Sequence, residues 1–245
     1  MLSRRALLRS VVALPLAAAC RSSSTGTAKP SWPRRATYEG VDVIELFPQD
    51  ADDGSPILVL VHGRGDRPEN WVDLWRTFPA KARIVLPRAF QPWQDGFSWF
   101  DLRGEMTDDD LGRVVGEAEA RLWKGITALA GSRKVLVSGF SQGGILSFAM
   151  AARHPDRVAK AFPVSGSCPG PLLPKDKARA APLVAFHGTA DPVLDIKWGR
   201  GAVNAFREQG NDATIREYPG VGHTITAEMR AALWGEIEAA LPLVR

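Results

Sequence analysis

Three residues far apart in the chain could together activate a hydroxyl: Ser141, Asp191 and His223. A serine hydroxyl is a poor nucleophile at neutral pH. It becomes a good one when a histidine takes its proton and a carboxylate fixes that histidine's tautomer and stabilises its cation. Ser141 lies in Gly139-Phe140-Ser141-Gln142-Gly143, after the apolar run Val135-Leu136-Val137 and before Ile145, Phe148, Ala149 and Ala152 at helical spacing. Strand, sharp turn and helix form the context in which Gly-x-Ser-x-Gly lifts a serine above a sheet edge. Gly139 and Gly143 carry no Cβ to obstruct a strained turn. The helix N-terminus that follows favours developing negative charge. The alternative is a glycine-rich turn with an idle serine. It is excluded only if an acid and a histidine follow, both at strand ends.

The chain has four histidines. His62 and His187 each precede a glycine after an apolar run, where local packing is the ordinary role. His154 precedes Pro155 at a helix end, where a cation suits the dipole. His223 lies in Pro219-Gly220-Val221-Gly222-His223, a loop free to swing over a sheet edge, and is the favoured base. Asp191 is the favoured acid, giving the order Ser, Asp, His that belongs to a strand-turn-helix serine site. Asp195 is its rival, although a helix N-cap explains that residue equally well. An oxyanion needs two preorganised donors. The backbone N–H of Gln142, next to the nucleophile, is one candidate. The N–H of Arg64, in His62-Gly63-Arg64-Gly65-Asp66, is the other.

These pieces require a scaffold that brings loop ends together. Residues 57–61, 83–86, 135–137, 158–164, 182–186 and 213–218 read as strands. Residues 41–47 alternate and read as the first strand of the chain. Helical spacing appears over 69–78, 108–130, 198–209 and from a Thr224 cap to about residue 241. Residues 87–105 read as a long irregular loop. Alternating strands and helices predict an α/β domain with a mostly parallel sheet and helices on both faces, over residues 37–245.

Composition narrows the rest. The formal charge is +4, but three of the 31 basic residues, Arg4, Arg5 and Arg9, precede Cys20. That leaves 28 against 27 acids, or +1. Such a balance argues against nucleic acid as a partner. Two cysteines, Cys20 and Cys168, offer no zinc-binding spacing, and Cys168 reads as a loop thiol without a catalytic task. Residues 1–20 read as an export signal. Ser3-Arg4-Arg5-Ala6-Leu7-Leu8-Arg9 has a twin-arginine pattern, and the apolar stretch after it is too short to span a bilayer. Ala17-Ala18-Ala19-Cys20 reads either as a cleavage site or as a lipobox whose cysteine is acylated. The polar tether over 21–36 favours the second. An exported protein, periplasmic or held at a membrane only through Cys20, is expected.

Taken together, His62-Gly63-Arg64-Gly65-Asp66, Trp71, residues 95–101 (Asp-Gly-Phe-Ser-Trp-Phe-Asp), Gly139 to Gly144, His187-Gly188 with Asp191-Pro192-Val193, and Gly222-His223 resemble the phospholipase/carboxylesterase family, which includes acyl-protein thioesterase-like serine esterases. The resemblance runs from about residue 55 to the end. It implies an α/β-hydrolase fold and hydrolysis of short to medium acyl esters or thioesters, with no metal or organic cofactor. It also implies a substrate-binding role for Trp99, Phe97 and Val193; core packing is the other reading of Trp99. The family usually carries an apolar residue where this chain has Arg64. Two further readings remain at this stage: a serine peptidase of the same fold, and a non-catalytic envelope-anchored binding protein.

Overall fold

The computed structural model describes residues 33–102 and 104–244. The expected export signal, Cys20 and most of the expected tether lie outside the described residues. The structured chain begins earlier than residue 37. Strand β1 (Arg34–Tyr38) pairs antiparallel with β2 (Val41–Leu46), so residues 34–36, expected in the tether, are strand. Glu39 and Gly40 between them both have positive φ, the two-residue turn that suits a hairpin's twist. β1 escapes a hydrophobicity reading because it is a polar edge strand, and Arg34 and Arg35 on it discourage pairing with another chain.

The remaining strands of the main sheet are β3 (Ile57–Val61), β4 (Arg83–Pro87), β7 (Val135–Phe140), β8 (Val158–Val164), β9 (Leu183–Gly188) and β10 (Ala213–Tyr218). Their order is β1-β2-β4-β3-β7-β8-β9-β10, parallel from β4 onward, as in the expected α/β-hydrolase arrangement. The expected irregular loop contains a small hairpin, β5 (Gln91–Trp93) and β6 (Gly96–Ser98). Three residues per strand are too few for a period to show.

Helices cover both faces. Helix α2 (Asp108–Ala130), α3 (Gln142–Arg153) and α4 (Ile196–Glu208) pack on one, and α1 (Glu69–Trp75) and α5 (Ala227–Ala240) on the other. β3 shows why its sequence is continuously apolar. Ile57, Val59 and Val61 enter the core under α2 and α3, while Leu58 and Leu60 enter the core under α1 and α5. Helix ends follow their caps. Thr107 accepts from the Asp110 N–H at the start of α2, and Asp195 accepts from the Lys197 N–H at the start of α4. The cap of α5 is Thr226, two residues later than expected at Thr224. Among the described residues no helix is long and apolar enough to cross a membrane.

The register aligns the functional loops. Val61 pairs with Gly139, so the loop after β3 lies beside the turn after β7. Gly188 pairs with Tyr218, so the loops after β9 and β10 emerge together, at the same carboxyl edge.

At the other side of the sheet, three strands are tied by a charge. Glu45 on β2 is wholly buried. Its carboxylate accepts from Arg83 Nε on β4 at 2.5 Å, from Arg34 Nη2 on β1 at 2.9 Å and from the Tyr38 hydroxyl at 3.0 Å. Removing the carboxylate leaves the buried Arg83 guanidinium without its main partner. Glu45→Ala is therefore expected to destabilise the fold by about 3–5 kcal/mol, measured by urea unfolding followed by circular dichroism.

Candidate active site

The turn between β7 and α3 is a single residue, Ser141, with φ 57° and ψ −116°. This is strained backbone for a residue with a Cβ, and it is held on both sides. The Ser141 N–H donates to the Val164 carbonyl at 3.0 Å, and the Ser141 carbonyl accepts from the Ile145 N–H at 3.0 Å. The flanking glycines act as the sequence reading expects, by carrying no Cβ. Neither Gly139 nor Gly143 has a positive φ; the strain sits on the serine itself. They are needed for close approach. A Cβ on Gly143 would stand 1.9 Å from the Val61 carbonyl oxygen, and one on Gly139 would stand 2.4 Å from the Gly143 carbonyl oxygen.

The three candidate residues meet here. His223 Nε2 lies 3.0 Å from Ser141 Oγ, and His223 Nδ1 lies 2.7 Å from Asp191 Oδ2. The Phe140 ring packs against the imidazole, 4.7 Å between centroids. Asp191 has a fully buried side chain, and its other oxygen accepts from the Val193 and Leu194 N–H groups, each at 2.9 Å. Burial pushes this carboxyl up, but the Leu194 N–H, His223 and the Val193 N–H outweigh it, and the group is held below the usual carboxylate range. An ionised Asp191 must accept, so His223 Nδ1 carries the proton and Nε2 presents its lone pair to the serine hydroxyl.

The other candidates have different partners. His62 is buried. Its Nδ1–H donates to the Gly63 carbonyl at 2.7 Å and its Nε2 accepts from the Ala89 N–H at 3.2 Å, so both nitrogens are used in joining the loop after β3 to the end of β4. Burial lowers its pKa. His187 Nε2–H donates to the Leu194 carbonyl at 2.7 Å and also lies 3.5 Å from Asp191, steadying the acid's loop; burial lowers its pKa too. His154 stacks on Trp123 at 3.9 Å and meets Glu119 at 2.7 Å. Asp195 is the α4 cap. Cys168 packs partly against the core, and burial pushes its thiol far up. Among the described residues, no group of three potential ligands is set to hold a metal ion.

Two backbone donors are left over beside Ser141. Among the described residues, neither the Arg64 N–H nor the Gln142 N–H has a protein acceptor. Gly63 packs against the elbow so closely that a Cβ there would lie 3.4 Å from Ser141 Cβ. The loop holding Arg64 is stitched to the β5–β6 hairpin. The Gly65 N–H donates to the Phe97 carbonyl at 2.8 Å, and the Phe97 N–H donates to the Asp66 carbonyl at 3.0 Å. Asp66 in turn accepts from Trp71 Nε1 and Asn70 Nδ2, each at 2.7 Å.

Of the three residues expected at substrate, Trp99 is placed elsewhere. It is 1% exposed, stacks edge-on against Phe90, and donates its indole N–H to the His62 carbonyl at 2.8 Å. It is a core residue that supports the loop after β3, because a buried indole N–H needs an acceptor and that carbonyl supplies one. Phe97 is half-buried and contacts the loop through its backbone, while its ring takes the Arg88 guanidinium at 5.0 Å. Val193 is 65% exposed on the acid's loop.

Similarity to known proteins agrees with this geometry. The family model for phospholipase/carboxylesterase matches residues 47–239. The chain belongs to the phospholipase/carboxylesterase family. It is 25% identical over 215 residues to acyl-protein thioesterase 1 of Neurospora crassa, covering 76% of this chain and 87% of that protein. It is 26% identical over 179 residues to esterase YpfH of Escherichia coli strain K12, covering 69% and 76%. Among solved structures, esterase PE8 superimposes with a TM-score of 0.68 at 22% identity, covering 82% of this chain and 99% of that one, a likeness of fold. The protein is thus an enzyme of the carboxylesterase and thioesterase type, with an α/β-hydrolase fold.

One feature of this hydrolase was missed in its sequence. The Gln142 side chain clamps the segment after β6. Its Oε1 accepts from the Trp99 N–H at 3.0 Å and its Nε2 donates to the Phe100 carbonyl at 3.0 Å. An amide beside the serine, buried by the turn it belongs to, is the signal that could have revealed it. The Asp191 environment also has a consequence for pH. A carboxyl held below its usual range stabilises the fold at pH values above its unfolded pKa of about 3.9, and this contribution is lost as pH falls through the folded value. Stability measured by urea unfolding between pH 6 and pH 3 is therefore expected to fall more steeply in the wild type than in Asp191→Asn, which has no carboxylate to protonate.

Proposed function

We propose that this family member is a serine hydrolase that cleaves short to medium acyl esters or thioesters through an acyl-enzyme. The observation that carries the reading is the continuous hydrogen-bonded chain Ser141–His223–Asp191 at the carboxyl edge of the sheet. In this reading Ser141 Oγ attacks the acyl carbon as its proton passes to His223 Nε2. The imidazolium is stabilised by Asp191 and then gives that proton to the leaving alcohol or thiol. The N–H groups of Arg64 and Gln142 receive the oxyanion. Water, deprotonated by His223, attacks the acyl carbon and releases the acid and the free serine.

The packing of Trp99 supports the limit on acyl length. With that indole turned into the core, the acyl group would lie along the mouth near Gly63, Phe97 and Val193 rather than in a deep channel walled by Trp99. The relatives named for thioester and ester cleavage support the reaction class.

The purified domain assayed on p-nitrophenyl esters from acetate to palmitate is expected to favour the shorter members. Ser141→Ala, with an unchanged circular dichroism spectrum, is expected to lose on the order of 10⁴-fold or more in kcat. Undiminished turnover in that variant would refute the mechanism. Export and acylation at Cys20 belong to the same proposal, supported by the pattern over residues 4–20. Cells expressing the full chain are expected to incorporate labelled palmitate into it, and Cys20→Ala is expected to abolish the label.

A further inference from the structure

The oxyanion loop carries a charge that its backbone role does not require. Arg64 is exposed, and among the described residues its guanidinium meets no carboxylate. The contrast with nearby arginines is informative. Arg88 is paired with Asp42, and Arg35 with Glu69 at 2.7 Å. The Arg64 guanidinium instead lies over the Trp93 ring, 5.0 Å from its centroid. Trp93 belongs to the hairpin, and the hairpin is fixed to the Arg64 loop on both sides of Arg64's neighbour Gly65. The Gly65 N–H donates to Phe97, and Gly96 sits so close that a Cβ on it would stand 2.2 Å from the Gly65 carbonyl oxygen. The cation is therefore held by a rigid support. On the other side of Arg64 is Gly63, packed so near the serine's turn that a Cβ on it would touch Phe140 and Ser141.

Stacking on an aromatic face orients a guanidinium and leaves its edge N–H groups free. A planar guanidinium fork that meets no carboxylate among the described residues, on the residue next to Gly63 at the serine's turn, is suited to a bidentate oxyacid group, a carboxylate or a phosphate. We infer that Arg64, supported by Trp93, forms a subsite at the mouth of the active site that recognises an anionic group on the substrate, and that the enzyme prefers esters bearing a carboxylate or phosphate near the scissile bond. This inference rests on the ester-hydrolase reading above.

Two matched substrate pairs separate the sources of the anion. p-Nitrophenyl hemisuccinate against p-nitrophenyl butyrate puts a carboxylate on the acyl side. 1-Butyrylglycerol 3-phosphate against monobutyrin puts a phosphate on the leaving group. At low salt the anionic member of at least one pair is expected to have a kcat/KM about five- to tenfold higher than its neutral partner, with the gain in KM. The preference is expected to shrink in 0.5 M NaCl, since the pair is open to solvent. In Arg64→Leu the ratio of anionic to neutral kcat/KM is expected to fall to about one, whatever the absolute rates. Trp93→Leu is expected to reduce it partly, because the cation remains but is no longer oriented.

Ratios near one for both pairs in the wild type, or a ratio unchanged in Arg64→Leu, would overturn the subsite. If no ester is turned over, the hydrolase reading fails separately, and binding then decides the subsite. Equilibrium dialysis of the same esters with Ser141→Ala is expected to show tighter binding of the anionic member, lost in Ser141→Ala/Arg64→Leu. Equal binding of both members would overturn it.

Discussion

A single backbone conformation at Ser141 organises the carboxyl edge of this protein. A non-glycine residue at φ 57°, ψ −116° costs on the order of 1–3 kcal/mol, and it persists only where its surroundings leave no alternative. Here the Val164 carbonyl takes the Ser141 N–H. β3 approaches from the other side so closely that its Val61 carbonyl occupies the place of a Gly143 side chain. A relaxed turn would drive the start of α3 away from β3 and open the parallel register that aligns Val61 with Gly139. The strain is thus offset by the packing of the central strands, and the raised hydroxyl follows from it.

The second layer of support comes from a segment with little regular structure. The β5–β6 hairpin and the residues after it hold the loop after β3 and the Gln142 side chain beside Ser141. Phe97 pairs by its backbone with the loop after β3, the Trp99 indole holds the His62 carbonyl, and the main chain of Trp99 and Phe100 is bonded by the Gln142 side chain. The backbone at Arg64 and Gln142, whose N–H groups have no protein acceptor among the described residues, is consequently held in place.

Asp191 and His223 are steadied by a separate set of contacts. Asp191 is locked by two N–H groups of its own loop, and His187 ties that loop back to β9 through the Leu194 carbonyl. His223 arrives from the last strand on a short glycine-containing loop, with Phe140 against its ring. Strands β9 and β10 thus carry the loops that bring Asp191 and His223 to Ser141. The buried Glu45 cluster secures β1, β2 and β4 on the far side of the nucleophile's strand.

By itself the sequence determined the α/β class, the strand-turn-helix around Ser141, the meeting of Asp191 and His223 with that serine, and the family. Each of these is written locally: as an apolar run, as glycines at fixed spacing, or as chain order at strand ends. Even the bland role of Asp195 was legible, because a cap is satisfied within three residues. What the tertiary structure alone decided depends on partners distant in the chain. β1 was hidden because a polar edge strand carries no hydrophobic period, and the β5–β6 hairpin because its strands are too short to show one. Trp99 could have lined a pocket or filled the core; only the position of the His62 carbonyl, 37 residues away in the chain, decided for the core. The glycines of the elbow are another case. That they leave clear a space a Cβ would fill was legible in the sequence, but that the Val61 and Gly143 carbonyls take up that space was decided only by β3 lying beside them.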